Sequence, residues 1–354
     1  MEKIRVAIVG AGFSAETHAE GLQRCPHAEA VAVSSNSRER SEDFARRWNI
    51  PTAATRWQDL VARRDVDVVS VCVPTSLHCE VAVAAAANGK HVICEKPLAV
   101  SLAEADRMIA AARDNRVRLF YGENWLFAPA MRRVAEIVHS GAIGKLLYYR
   151  GRECSGDTHS RYSRQKKYAG GGTLIHMTVH PLGFLLSLKE GVPPVSVYAD
   201  MTGGGDLNLQ HPEYDGEDFT LALVTFADRS RGLIEGDFIT KGGLDDSVEI
   251  FGSEGTLKVN FSQGSPIRAF TTKGLDYAME KVETSVGWSY PMPDERRSQG
   301  WIEEMDHFMT CVKENRDPRY GADGAGGRRV LEIVEAGYAS VREGRPVKLP
   351  HDVP

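Results

Sequence analysis

Behind three consecutive glycines, Gly170-Gly171-Gly172, an apolar stretch carries two histidines four residues apart, His176 and His180. Composition and periodicity predict one helix over residues 173–188, and on a helix side chains four apart share a face, so the two imidazoles are expected to project together. With an ordinary pKa of about 6.5, an imidazole accepts and returns a proton near neutrality. The same pair is half of a transition-metal site, for which Glu153, Asp157 and His159 in the preceding segment are the further candidates. The expectation is a metal-free site, with Glu153, His176 and His180 as the residues a metal would take. Against both stands the plain alternative of histidines satisfied within a core.

A second chemical group is Lys96, set between Glu95 and Pro97. Proline fixes its own φ and confines the preceding residue to extended geometry, so the lysine is held where its ammonium can donate to a hydroxyl and stabilise negative charge as that oxygen loses its proton. Glu95 is expected to orient Lys96 or to meet a cofactor, and the competing reading is a surface Lys96–Glu95 pair. A third feature is Gly10-Ala11-Gly12-Phe13-Ser14-Ala15, a G-x-G-x-x-A turn. Gly10 permits the tight turn, Gly12 lets the backbone approach a pyrophosphate, and Ala15 lets helix and strand pack closely, with the helix N-terminus facing the phosphates.

These residues need elements to position them. From residue 3 to 121, short runs rich in Val and Ile ("IRVAIV", "AVAVS", "VDVVSVCVP", "KHVICE", "VRLFYG") alternate with amphipathic stretches at 14–24, 37–48, 77–88 and 101–115. Such alternation predicts a doubly wound parallel sheet, an α/β Rossmann domain over residues 1–122. Ligands of such a sheet gather at the strand ends. That places Ser34, Ser35, Asn36 and Arg38 after the second strand, Pro74, Thr75 and His78 after a later one, and Asn124 and Trp125 after the last. An acidic residue after the second strand would hold the ribose of NAD. Here neutral donors and Arg38 stand there with no carboxylate from 34 to 38, which favours NADP over NAD.

Beyond Trp125 the pattern changes to strands of alternating polarity ("VSVYADM", "FTLALVTFA", "SRGLIEGDFI", "DSVEIFGSEGTLKV", "IRAFTTK") after a helix at 128–140. This predicts an α+β domain over residues 123–354, built on a large, mostly antiparallel sheet, with helices at 301–315 and 326–343 packing back on the core. Tyr162, Lys166 and Tyr168 precede the glycines and are candidates to line a substrate pocket.

A chain of 354 residues with 42% hydrophobic and 26% charged residues and a net charge of −5 has an ordinary globular composition, without the basic excess of a nucleic-acid binder. No uninterrupted apolar run reaches membrane-spanning length, and no secretory leader is expected. The six cysteines show no Cys-x-x-Cys pair, which fits a reduced cytoplasmic protein.

The G-x-G-x-x-A turn, the Glu95-Lys96-Pro97 tripeptide and the glycine-led histidine segment occur in one order, and in that combination the whole chain resembles the glucose-fructose oxidoreductase and inositol dehydrogenase (Gfo/Idh/MocA) family. The resemblance implies an oxidoreductase acting on a sugar, sugar derivative or cyclitol. It implies that Lys96 acts beside the nicotinamide, that the Lys96–Pro97 peptide is cis, and that His180 takes the hydroxyl proton as hydride leaves the same carbon. It also implies a homodimer or homotetramer formed through the open face of the second sheet. One departure stands out: inositol-dehydrogenase-like members usually carry aspartate where this chain has His176, and a carboxylate there would raise the histidine's pKa whereas a second imidazole would not. Trp125, Tyr162, His176 and His180 are the substrate candidates beside Lys96. Two alternatives follow: a hydrolase or lyase that oxidises the sugar transiently, and a non-catalytic cofactor-sensing protein, which the presence of both Lys96 and His180 disfavours.

Overall fold

The structure is a computed structural model that describes residues 3–158, 160–275 and 284–350. The chain forms two compact units, Met1–Phe127 with Gly300–Arg329, and Ala128–Gln299 with Val330–Pro354. The first unit runs five residues past 122 and takes in a second stretch, Gly300–Arg329.

In the first unit the order is β1 (Ile4–Val9), α1 (Phe13–Arg24), β2 (Ala28–Ser34), α2 (Arg38–Arg47), β3 (Thr52–Ala54), α3 (Trp57–Val61), β4 (Val68–Val71), α4 (His78–Ala87), β5 (His91–Glu95), α5 (Leu102–Asp114) and β6 (Leu119–Gly122). The six strands are all parallel in the order β3-β2-β1-β4-β5-β6, the doubly wound arrangement of a Rossmann fold. Central strands such as β4, buried at every position, are apolar but for Ser70 because helices cover both sides. Two helix starts are written locally: the Ser37 hydroxyl accepts the Arg40 amide and the Ser101 hydroxyl the Glu104 amide. Strand β3 and helix α3 are additions to the expected set, each too short to carry a readable period.

The second unit contains α6 (Pro129–His139), β7 (Leu146–Cys154), α7 (Lys166–Ala169), α8 (Thr173–His176), α9 (Val179–Leu188), β8 (Pro194–Met201), β9 (Phe219–Phe226), β10 (Arg231–Asp237), β11 (Asp245–Gly252), β12 (Thr256–Asn260), β13 (Ala269–Thr271), β14 (Gly287–Ser289) and α10 (Glu295–Ser298). After it come α11 (Trp301–Lys313), α12 (Gly324–Glu343) and β15 (Val347–Lys348). The seven-stranded sheet runs β12-β11-β7-β10-β9-β8-β15 and is antiparallel throughout except for the β7–β10 pair. One face is covered by α9: the Tyr149 hydroxyl donates to the Pro181 carbonyl at 3.0 Å, and a Cβ on Gly151 or Gly232 would run into Pro181 or Leu185.

Helix α11 packs in the first unit, on α1. The contact is close because Gly21 presents no side chain: a Cβ there would lie 2.6 Å from Met305 Cγ. Phe13 meets Trp301 edge-on, with ring centroids 5.6 Å apart.

Candidate functional site

The first unit gathers its candidate residues along one edge of the parallel sheet. Gly10 follows β1 with φ +123, and a Cβ there would lie 2.0 Å from the Cys72 carbonyl oxygen, so only glycine fits where the loops after β1 and β4 touch. Gly12 differs: a Cβ there meets no atom within 4 Å. As the N-cap of α1 it contributes no side-chain cap, and a helix N-terminus of this kind is suited to an anion. That open space and uncapped helix start fit the pyrophosphate of a dinucleotide.

Around this turn, Ser34 closes β2 with Ser35 and Asn36 following, and the Arg38 side chain is 80% exposed with only a 3.9 Å contact to Glu42. Pro74 and Thr75 open a short turn after β4. His78 is buried, and its two ring nitrogens lie 2.9 Å from the carbonyls of Val73 and Pro97. Burial holds its pKa below the ordinary value, and the neutral ring ties the Pro74 loop to the Lys96–Pro97 bend by donating to one of those carbonyls. Asn124 and Trp125 follow β6 and are buried, with Trp125 among the largest enclosed side chains.

Lys96 follows the last residue of β5, half-buried, and the Lys96–Pro97 peptide is cis. The Glu95 carboxylate is buried: Oε1 lies 2.8 Å from His18 Nε2, and Oε2 accepts the Lys96 backbone N–H at 3.1 Å. His18 itself was not among the candidates, although it stands three residues past Ala15 on the helix that the glycine turn opens.

The second unit holds the histidines. Residues 173–188 form two helices and not one, and the break falls at Met177 and Thr178. Pro181 is the cause, because it lacks an N–H and is tolerated only in a helix's first turn, so the chain restarts a helix at Val179. The His180 amide accordingly bonds Met177 O instead of His176 O, which corrects the expected single helical face. The His176 ring lies 6.2 Å from the Phe238 ring centroid to centroid. His180 is 5% exposed, and its Nε2 lies 3.6 Å from Glu153 Oε2 on β7. The carboxylate facing His180 thus comes from the sheet.

The glycine run is required by its own surroundings. Gly170 takes a left-handed φ of +87 to end α7. A Cβ on Gly171 would lie 1.9 Å from the Tyr338 hydroxyl and one on Gly172 would lie 2.1 Å from Glu217 O. Glu217, buried and unforeseen in the sequence, caps α8: its carboxylate accepts the Leu174 amide at 3.1 Å and the Tyr338 hydroxyl at 2.8 Å.

Of the other substrate candidates, Tyr162 packs edge-on against Tyr168 at 5.1 Å, and Lys166 is exposed. Asp157 is engaged by the Tyr214 hydroxyl and by Arg164, and His159 lies outside the described residues. Among the described residues, three potential metal-ligand atoms come within 4.8 Å of one another at a different place: Cys154, Glu235 and Asp237. There Asp237 accepts three hydrogen bonds from Ile239 and Thr240 and Glu235 takes Arg152, while burial and the neighbouring carboxylates push the Cys154 thiol far up, so it stays protonated. This corner of the sheet is satisfied by hydrogen bonds.

Two family models match the chain: an oxidoreductase family with an NAD-binding Rossmann fold over residues 4–123, and a GFO/IDH/MocA C-terminal domain over 131–258. The chain is 28% identical to myo-inositol 2-dehydrogenase of Thermotoga maritima over 98% of both chains. It is 30% identical to 1,5-anhydro-D-fructose reductase of Ensifer adhaerens over 72% of this chain and 74% of that one. Among solved structures, GenD2 from gentamicin A biosynthesis, in complex with NAD, superposes with a TM-score of 0.92 at 26% identity over 99% of this chain and 97% of that one.

Proposed function

The chain belongs to the GFO/IDH/MocA oxidoreductases, and from that premise we propose that it moves hydride between a nicotinamide and a hydroxyl-bearing carbon of a sugar, sugar derivative or cyclitol. The observation that carries the reading is a buried imidazole, His180, facing a buried carboxylate, Glu153. Bound dinucleotide supplies the hydride acceptor or donor. In oxidation, Lys96 donates to the substrate oxygen and stabilises the charge that develops there, and His180 takes the hydroxyl proton. Glu153 stabilises the imidazolium that results, the part that aspartate plays in related triads. His176, Trp125 and Tyr162 are assigned to the substrate pocket. Relatives named as dehydrogenases and reductases support net hydride transfer over the transient-oxidation route to elimination.

For the cofactor, we read NADP as accepted through Ser35, Asn36 and the exposed Arg38, beside the NAD that the GenD2 structure contains. Arg38→Ala should weaken NADP about tenfold and leave NAD within about twofold. We also propose that a second copy covers the uncovered face of the seven-stranded sheet. Tyr198 and Leu223 face each other there across β8 and β9, 46% and 37% exposed. Leu223→Asp should then lower the mass measured by light scattering.

No helix among the described residues is long and apolar enough to cross a membrane, and the cytoplasm is the proposed location, consistent with six free cysteines. The deciding experiment incubates the protein with aldoses, deoxysugars, glycosides, anhydrosugars and inositols and each dinucleotide, and follows reduced nicotinamide. Product without net change in reduced nicotinamide across the panel would overturn the reading.

A further inference from the structure

We propose that His18 is a positioning residue that ties the phosphate-facing helix α1 to the backbone of Lys96, an inference that rests on the catalytic reading of Lys96 given above. His18 is fully buried on α1, the helix whose N-terminus faces the open space at Gly12. Its Nδ1 lies 2.7 Å from Ser70 Oγ on β4 and its Nε2 lies 2.8 Å from Glu95 Oε1 on β5. The second oxygen of the same carboxylate accepts the Lys96 N–H. One rigid ring thereby links α1, the middle of the sheet and the bend at which Lys96 stands.

The charges around the ring explain why histidine and not an apolar residue occupies the position. Facing it are Ser70 and Glu95, the Cys72 thiol with Sγ 3.6 Å from Nδ1, and the carboxyl of Glu304 from α11. Burial alone disfavours the protonated ring, but Cys72 and Glu95 together hold its pKa well above the ordinary value. Burial pushes the Glu304 carboxyl well above the usual carboxylate range. A doubly protonated His18 donates from both nitrogens, to Ser70 Oγ and to Glu95. An ion pair this deeply buried contributes less to stability than to fixing one arrangement of its neighbours. What it fixes here is the carboxylate that grips the Lys96 amide.

The experiment compares His18→Leu, which removes both donors, with His18→Gln, which keeps one, each in the wild-type and the Lys96→Ala backgrounds. His18→Leu should lower kcat about tenfold while the sugar KM and the NADH Kd from fluorescence titration stay within about twofold. His18→Gln should restore most of the loss. In the Lys96→Ala background His18→Leu should cost less than about twofold more, because the group it positions is gone. Equal losses in the two backgrounds, or a weakened NADH Kd with kcat intact, would show that His18 serves the helix alone and overturn the proposal.

Thermal unfolding supplies a readout independent of turnover. A raised native pKa contributes stability that is fully present below the unfolded value and is lost as pH rises through the native one. The Tm gap between wild type and His18→Leu should therefore be wider at about pH 6 than at about pH 9; a gap that does not change with pH would overturn the buried ion pair and the proposal with it. Normal turnover by Lys96→Ala with the pH-dependent gap intact would instead sink the catalytic reading of Lys96, and with it the kinetic half of the proposal, and leave only the structural tie between His18 and Glu95.

Discussion

Lys96 and His180 are held by opposite means. Lys96 sits in a bend with restraints from its own neighbours in the chain: Pro97 limits its backbone, and the adjacent Glu95 side chain accepts its amide. His180 stands in a helix that restarts to accommodate Pro181, and groups far along the sequence help to fix it. Glu153 and Tyr149 reach it or its neighbour from β7, and the caps of the preceding helix come from Glu217 and Tyr338. A group fixed directly by sequence neighbours is sensitive elsewhere only at the few residues that hold those neighbours, as His18 holds Glu95. One fixed by the sheet is exposed to every substitution that shifts the sheet.

The largest break in this comparison is removal of the groups themselves. Lys96→Ala and His180→Ala should each cut kcat by about 10²–10⁴, with NADH affinity measured by fluorescence within about twofold. Next is the packing on the histidine side. A methyl at Gly172 collides with the Glu217 backbone, so Gly172→Ala should destabilise by about 1–3 kcal/mol in denaturant unfolding, and an unchanged midpoint would contradict the close packing. Smaller again is Glu153→Gln, which keeps the shape and removes the charge opposite His180. The expected loss in kcat is about tenfold, with the sugar KM unchanged and the kcat–pH profile shifted to lower pH. A profile identical to wild type would separate Glu153 from the proton transfer.

The smallest effect concerns the far end of the same helix. Against a burial penalty, hydrogen bonds from Lys189 at the C-cap of α9 and from Ser230 depress the Asp228 pKa to about 2. Because the native pKa is depressed, this contribution is present above the unfolded value of 3.8 and is lost as pH falls toward about 2. Asp228 is 42% exposed, so Asp228→Asn should cost less than about 1 kcal/mol at neutral pH, and the difference in Tm from wild type should vanish in acid.

The same contrast explains what could be read without coordinates. The Rossmann half was legible because its signals are contiguous: a strand, a glycine turn, a helix, and then Glu95-Lys96-Pro97 in one run. Even there His18 escaped, since a histidine on the covered face of a helix looks like core until Glu95, 77 residues on, is found against it. In the second half the strands were legible from alternation, but the parallel pairing of β7 with β10 was not, because strand order has no local signature. Pro181 was the one local sign that the histidine helix must break, and it outweighs an otherwise helical period. Glu217 left no sign at all, as it caps an amide 43 residues earlier through a fold that only the tertiary structure supplies.

Helix α1 rests on residues 301–313, and the glycine loop before His176 is closed by Tyr338. During synthesis, then, neither unit is finished when its own first elements leave the ribosome. The opening dinucleotide half waits, with Phe13 and the face around Gly21 uncovered, for a partner nearly three hundred residues downstream. A fragment cut after residue 122 would carry that bare face permanently, and should be recovered as aggregate where the full chain is recovered as native protein.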